Sequence, residues 1–232
     1  MKNINKLSFM NTQYCDEHYA ITTAELLSTA YPVLPVIVID QLSQAVPLAQ
    51  ALYDGGIKVL EVTLRTPCAL AAIAAIKAAL PQCITGAGTI TSPRQVEAVL
   101  QAGADFAVSP GATPALLKEA KAQGLSLLPG VSTPSDVIQA MEHGYQLLKL
   151  FPAEQSGGVN MLKALAGPFP DIKFCPTGGI GLHNAREYLA LNNVLAIGGS
   201  WVCPANLVNQ GRWDEITRLA GEAVDRLQTV SP

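Results

Sequence analysis

A short apolar run, a helix-length stretch and then a glycine recur along most of the chain, and few folds accommodate that repeat. Residues 33–39, 59–64, 83–88, 105–109, 126–129, 146–152, 173–176 and 194–197 have the length and composition of buried strands. Helix-length stretches follow them at 43–53, 67–80, 92–103, 113–124, 133–144, 159–166 and 184–191, and a long one at 213–227 ends the series. Thr113-Pro114 and Thr133-Pro134 mark helix starts, where a hydroxyl can cap and the missing proline N–H costs nothing. Gly55, Gly103, Gly124 and Gly144 mark helix ends. Roughly eight mostly apolar strands joined by short crossovers through helices are the pattern of a parallel sheet. The expected class is α/β, a (β/α)8 TIM barrel with a short N-terminal helix at 24–28 capped by Thr22 or Thr23. A doubly wound open sheet is the alternative, although no Gly-x-Gly-x-x-Gly opens the first crossover.

At 232 residues, 49% hydrophobic and 14% charged, the chain is long enough for one large core, expected over residues 21–232. Residues 1–20 are polar and read as a flexible tail, neither a secretory signal nor an anchor. A net charge of -3 with lysines and arginines scattered singly offers no stripe for nucleic acid and no basic helix for a membrane surface. Five cysteines, odd in number and without a Cys-x-x-Cys pair, argue against a disulfide framework and a zinc site. His18, His143 and His183 fall in the tail, at a helix end and at a helix start, with no carboxylate cluster between them. The expectation is a soluble cytoplasmic protein with no metal and no cofactor.

In a barrel of this kind the active site lies at the carboxyl ends of the strands. Lys58 and Lys173 fall at strand starts, while Lys77, Lys118, Lys121 and Lys163 lie on solvated helix faces, so Lys149 alone passes that filter. By the strand period, Leu147, Lys149 and Phe151 share one face and Leu148 and Leu150 the other, which leaves the amine among apolar side chains. Burial disfavours the ammonium form, and a free amine can attack a carbonyl carbon to make a Schiff base. A snorkelling lysine, or half of a buried ion pair, fits the same strand. On the second strand Glu61 and Arg65 share the parity of Val59 and Thr63 and are expected to point inward, with Glu61 next to Lys149. A purely structural interior ion pair would look the same. Gly178-Gly179 and Gly198-Gly199-Ser200, after the seventh and eighth strands, occupy the places where such barrels bind phosphate through backbone N–H groups, though a lone Gly-Gly also serves as a tight turn.

Glu61-Val62-Thr63-Leu64-Arg65-Thr66, Gly86-Ala87-Gly88-Thr89, Ser109-Pro110-Gly111, Lys149-Leu150-Phe151-Pro152-Ala153, Pro176-Thr177-Gly178-Gly179 and Gly198-Gly199-Ser200 occur in that order. From about Thr22 to the C-terminus the chain closely resembles the 2-keto-3-deoxy-6-phosphogluconate (KDPG) aldolase family, class I aldolases of the Entner-Doudoroff pathway. The resemblance implies that Lys149 forms the imine with pyruvate and Glu61 transfers protons. It implies that Arg65 and Thr89 hold the pyruvyl carboxylate, with Pro110 also at the substrate. Phe151 would pack beside the imine, and Gly178, Gly179, Gly198, Gly199 and Ser200 would hold the phosphate. The implied reaction gives pyruvate and glyceraldehyde 3-phosphate from a phosphorylated keto acid, in a homotrimer, and some relatives also cleave 4-hydroxy-2-oxoglutarate. The resemblance also implies that Thr177 governs stereochemical choice at the aldehyde-derived carbon, where threonine favours the gluconate epimer. The rival readings are a phosphogalactonate aldolase, a phosphate-binding isomerase or synthase with no use for an inward lysine, and a silent binding barrel.

Overall fold

The computed structural model describes residues 22–228, so the expected tail at 1–20 lies outside the described residues. Its nine strands are β1 (Val33–Ile37), β2 (Val59–Thr63), β3 (Ile84–Gly88), β4 (Ala107–Val108), β5 (Leu127–Leu128), β6 (Gly130–Val131), β7 (Leu147–Leu150), β8 (Lys173–Phe174) and β9 (Ile197–Gly199). The helices are α1 (Thr23–Ala30), α2 (Ala45–Asp54), α3 (Ala69–Ala79), α4 (Arg94–Gln101), α5 (Pro114–Ala122), α6 (Pro134–Glu142), α7 (Gly158–Ala166), α8 (Ala185–Leu189), α9 (Ala205–Asn209) and α10 (Trp213–Leu227). This is an α/β fold built on parallel strands. One six-stranded sheet runs β5-β4-β3-β2-β1-β9, and a three-stranded sheet runs β6-β7-β8.

The expected fifth strand is found as β5 and β6 on either side of Pro129. Proline has no N–H to give a ladder, yet its carbonyl still accepts from Lys149 N at 2.9 Å. The last strand is shifted forward relative to the expected 194–197, because Val194 makes only an isolated parallel bridge to Phe174. A second bridge joins Thr177 to Gly198, with Gly198 N donating to Pro176 O at 2.8 Å. Helix α3 starts at Ala69, two residues after the proline expected to open it. Helix α9 has no counterpart in the expected series.

The strand period sorts side chains into two apolar clusters. Leu60 and Val62 of β2 and Leu148 and Leu150 of β7 pack outward against residues such as Ile73, Ile76 and Leu162 of the helices. Leu34, Val59, Phe106, Val108, Leu128, Cys175 and Ala196 form a smaller inner cluster, which Leu26, Leu27 and Ala30 of α1 join. Thr22 starts α1 through a reciprocal box: its hydroxyl accepts from Glu25 N at 3.2 Å, and the Glu25 carboxylate accepts from Thr22 N at 3.0 Å. The capped helix therefore presents its apolar face to the inner cluster, next to the starts of β1 and β2. Among the described residues, no helix is long and apolar enough to cross a membrane.

Candidate active site

Lys149 and Glu61 meet between the strands, one from each of the two sheets. Register pairs Lys149 with Gly130 of β6, and Glu61 with Val36 of β1 and Gly86 of β3. Their alternation with outward leucines and valines sends both side chains inward, where Lys149 Nζ lies 3.2 Å from Glu61 Oε1. The two side chains are only 7% and 1% exposed. In so dry a site each charge depends on the other, because an unpaired one would carry its full desolvation cost. The second carboxylate oxygen, Glu61 Oε2, is buried with no hydrogen-bond partner among the described residues. It retains the capacity to accept a proton. The Phe151 ring centroid lies 5.5 Å from Lys149 Nζ, so the amine faces a π surface on one side and the carboxylate on another.

Space for the carboxylate comes from β3, where a side chain on Gly88 would overlap it and one on Gly86 would overlap the Phe106 ring. Above Lys149 opens a cavity of about 450 Å³ lined by both glycine-rich turns. Of the residues expected at the site, Arg65, Lys149, Phe151, Thr177, Gly178, Gly179, Gly198, Gly199 and Ser200 line it. Glu61 stands behind Lys149, and neither Thr89 nor Pro110 reaches the lining. Thr89 turns out of β3 with φ of 62°, a conformation rare for a β-branched residue and costing about 1–3 kcal/mol. Pro110 packs its carbonyl against Gly130, where any side chain would collide.

Arg65 corrects an expectation. Strand β2 ends at Thr63, so parity cannot be carried two residues further, and Arg65 sits exposed in the turn at the cavity mouth instead of pointing inside. Val36, Val38, Ile180, Cys203, Pro204 and Ala205 also line the cavity and were not singled out from the sequence. The parity that sends Leu34 inward would have found Val36 and Val38. Among the described residues no group of three or more His, Cys, Asp or Glu side chains could hold a metal ion.

The family model for the KDPG and KHG aldolases matches residues 24–219. The chain belongs to the KDPG and KHG aldolase family. The 2-dehydro-3-deoxy-phosphogluconate aldolase of Dickeya dadantii (strain 3937) is 54% identical to it over 203 residues, covering 88% of this chain and 95% of that one. The KHG/KDPG aldolase of Escherichia coli (strain K12) is 53% identical over 204 residues, covering 88% and 96%. Among solved structures, the Legionella pneumophila KDPG aldolase, in which pyruvate was captured at low pH as a covalent carbinolamine, superposes with a TM-score of 0.86. It is 45% identical, with 88% of this chain and 98% of that chain covered. The match extends over almost the whole described fold, not over one motif.

Proposed function

We propose that this chain is a class I aldolase that cleaves 2-dehydro-3-deoxy-6-phosphogluconate to pyruvate and glyceraldehyde 3-phosphate. The observation that carries the reading is the buried Lys149–Glu61 pair, with Lys149 at the wall of a cavity large enough for such a substrate. Relatives named for this reaction, and one with pyruvate held covalently, support it. Transfer of the ammonium proton from Lys149 to Glu61 frees the amine, which attacks the C2 ketone while the carbonyl electrons move to oxygen. Glu61 returns the proton to that oxygen, and water leaves to give a protonated imine. The C3–C4 bond electrons then flow towards the imine nitrogen as Glu61 takes the C4 hydroxyl proton, and glyceraldehyde 3-phosphate departs. Protonation of the remaining enamine carbon by Glu61, followed by hydrolysis, gives pyruvate and regenerates Lys149.

Arg65 at the cavity mouth can grip the pyruvyl carboxylate with a planar fork that does not compete as a nucleophile. Thr89 and Pro110 would act from the cavity's edge. Phe151 flanks the imine, Thr177 faces the aldehyde-derived carbon, and Gly178, Gly179, Gly198, Gly199 and Ser200 hold the phosphate. Cleavage of 4-hydroxy-2-oxoglutarate is a second activity of the same site, supported by the E. coli relative's name. The bridges Phe174–Val194 and Thr177–Gly198 support closure of the strands into a (β/α)8 barrel, a single catalytic domain over residues 21–232. A homotrimer working in the cytoplasm rests on family resemblance.

Incubation with pyruvate followed by borohydride reduction tests the reading. A pyruvate-derived mass on the peptide containing Lys149, missing from Lys149→Ala, is the expected result. A folded wild-type protein that took no adduct would remove the imine mechanism and return the phosphate-binding isomerase.

A further inference from the structure

The Gly178–Gly179 turn is held from behind by groups that the cleavage steps do not use. Three successive carbonyls are engaged on its far side. Thr177 O accepts from Ala153 N at 2.8 Å, Gly178 O from Glu154 N at 3.1 Å, and Gly179 O from Asn184 Nδ2 at 3.1 Å. In a planar trans peptide the C=O and the following N–H point opposite ways. The N–H groups of Gly178, Gly179 and Ile180 therefore point away from those donors, and all three residues line the cavity. Among the described residues, no acceptor takes the N–H of Gly178 or Gly179. Successive N–H groups converging in this way make a concavity for an anion.

The segment that supplies Ala153 N and Glu154 N is itself fixed. Buried Tyr188 donates its hydroxyl to Glu154 Oε1. Burial first, and the Glu154 carboxylate second, push the tyrosine's pKa up, so it remains a donor well above neutral pH. Cβ and Cγ of Glu154 press on the Gly179 Cα, where a side chain would collide with them. Asn184 uses its other end, with Oδ1 accepting from Gly181 N at 2.9 Å, so one carboxamide ties both sides of the turn.

We propose that the Tyr188–Glu154 hydrogen bond and the Asn184 carboxamide are positioning elements that preform this cradle for the substrate's terminal phosphate. They thereby set the preference for phosphorylated over non-phosphorylated keto acids. The inference rests on the phosphate role given to this turn above. Tyr188→Phe and Asn184→Ala should each raise KM for the phosphorylated substrate about twofold to tenfold, the worth of one ordinary hydrogen bond. Turnover of 4-hydroxy-2-oxoglutarate and pyruvate trapping should stay near wild type, and Glu154→Gln alone, which keeps an acceptor for the Tyr188 hydroxyl, should stay closer to wild-type KM than Tyr188→Phe. Calorimetry with unreactive glycerol 3-phosphate gives a readout independent of catalysis, with the same expected weakening. Equal losses on both substrates, or unchanged KM and unchanged binding, would overturn the proposal. So would wild-type protein that traps pyruvate but does not bind glycerol 3-phosphate, a result that leaves the aldolase reading intact. Normal glycerol 3-phosphate binding that weakens in the variants, with no pyruvate adduct, supports the cradle and sinks the aldolase reading instead.

Discussion

Gly88 packs so closely on Glu61 that a methyl group on its Cα would overlap the carboxylate that meets Lys149. The glycine belongs to β3 and pairs with Thr63, two residues along β2 from Glu61, so the bare Cα is part of the ladder and cannot retreat without breaking it. Gly88→Ala should therefore push Glu61 away from Lys149 and not simply fill space. Overpacking of this kind costs about 1–3 kcal/mol in stability. Loss of an aligned proton-transfer group should lower kcat about a hundredfold or more, with a smaller change in KM. Steady-state kinetics beside a urea melt checks both, and a folded variant with wild-type kcat would show that Glu61 does not transfer the proton.

The Lys149–Glu61 pair predicts a conflict between stability and activity. Removing one member of a buried ion pair strands the other charge and typically costs about 3–5 kcal/mol, whereas replacing both with apolar groups of similar size is often neutral or stabilising. Lys149→Met leaves a carboxylate with one oxygen already unpartnered, and Glu61→Leu leaves an ammonium between the Phe151 ring and the cavity with no carboxylate beside it. Each single variant should melt earlier than wild type, and the double variant Glu61→Leu/Lys149→Met should be more stable than either while forming no pyruvate adduct. Additive effects in the double-mutant cycle would mean that the two side chains are not coupled.

The sequence was readable where a strand keeps its period and unreadable where the chain leaves it. Parity sorted Val59 from Leu60 on β2 and Leu147 from Leu148 on β7 correctly, and so placed Glu61 and Lys149. Past Thr63 the chain turns and parity no longer gives a direction, so Arg65 is exposed at the cavity where the sequence pattern implied an interior position. Helix α9 has five residues after Pro204 and no side-chain cap, too little local signal to separate it from a loop. The positive φ of Thr89 is equally silent, since threonine is not a residue that announces a left-handed turn. Glu154 and Tyr188 stand 34 positions apart, and their contact depends on how helix α8 packs against the loop after β7. Capping, by contrast, is local: Thr133 accepts from Asp136 N at 3.3 Å and starts α6 at Pro134 as its sequence implies.

The inner thiols give a prediction in pH. Burial pushes Cys175 up to about 12, against the pull of the nearby Lys149 charge, and burial alone pushes Cys203 up to about 12. Only a thiolate reacts with an alkylating reagent, so at about pH 8 both should stay unmodified in the folded protein and react once it is unfolded in urea. The same shifts set a stability window. Folding favours the protonated thiol, so the contribution is complete below the ordinary thiol value of 9.0 and is lost as pH climbs from there towards about 12. Urea midpoints should fall over that alkaline range, and a Cys175→Ala/Cys203→Ala variant, whatever its starting stability, should fall less steeply because those two protons are no longer at stake. Native-state labelling of either peptide at about pH 8, or parallel slopes for the two proteins, would contradict the burial of these thiols as the cause.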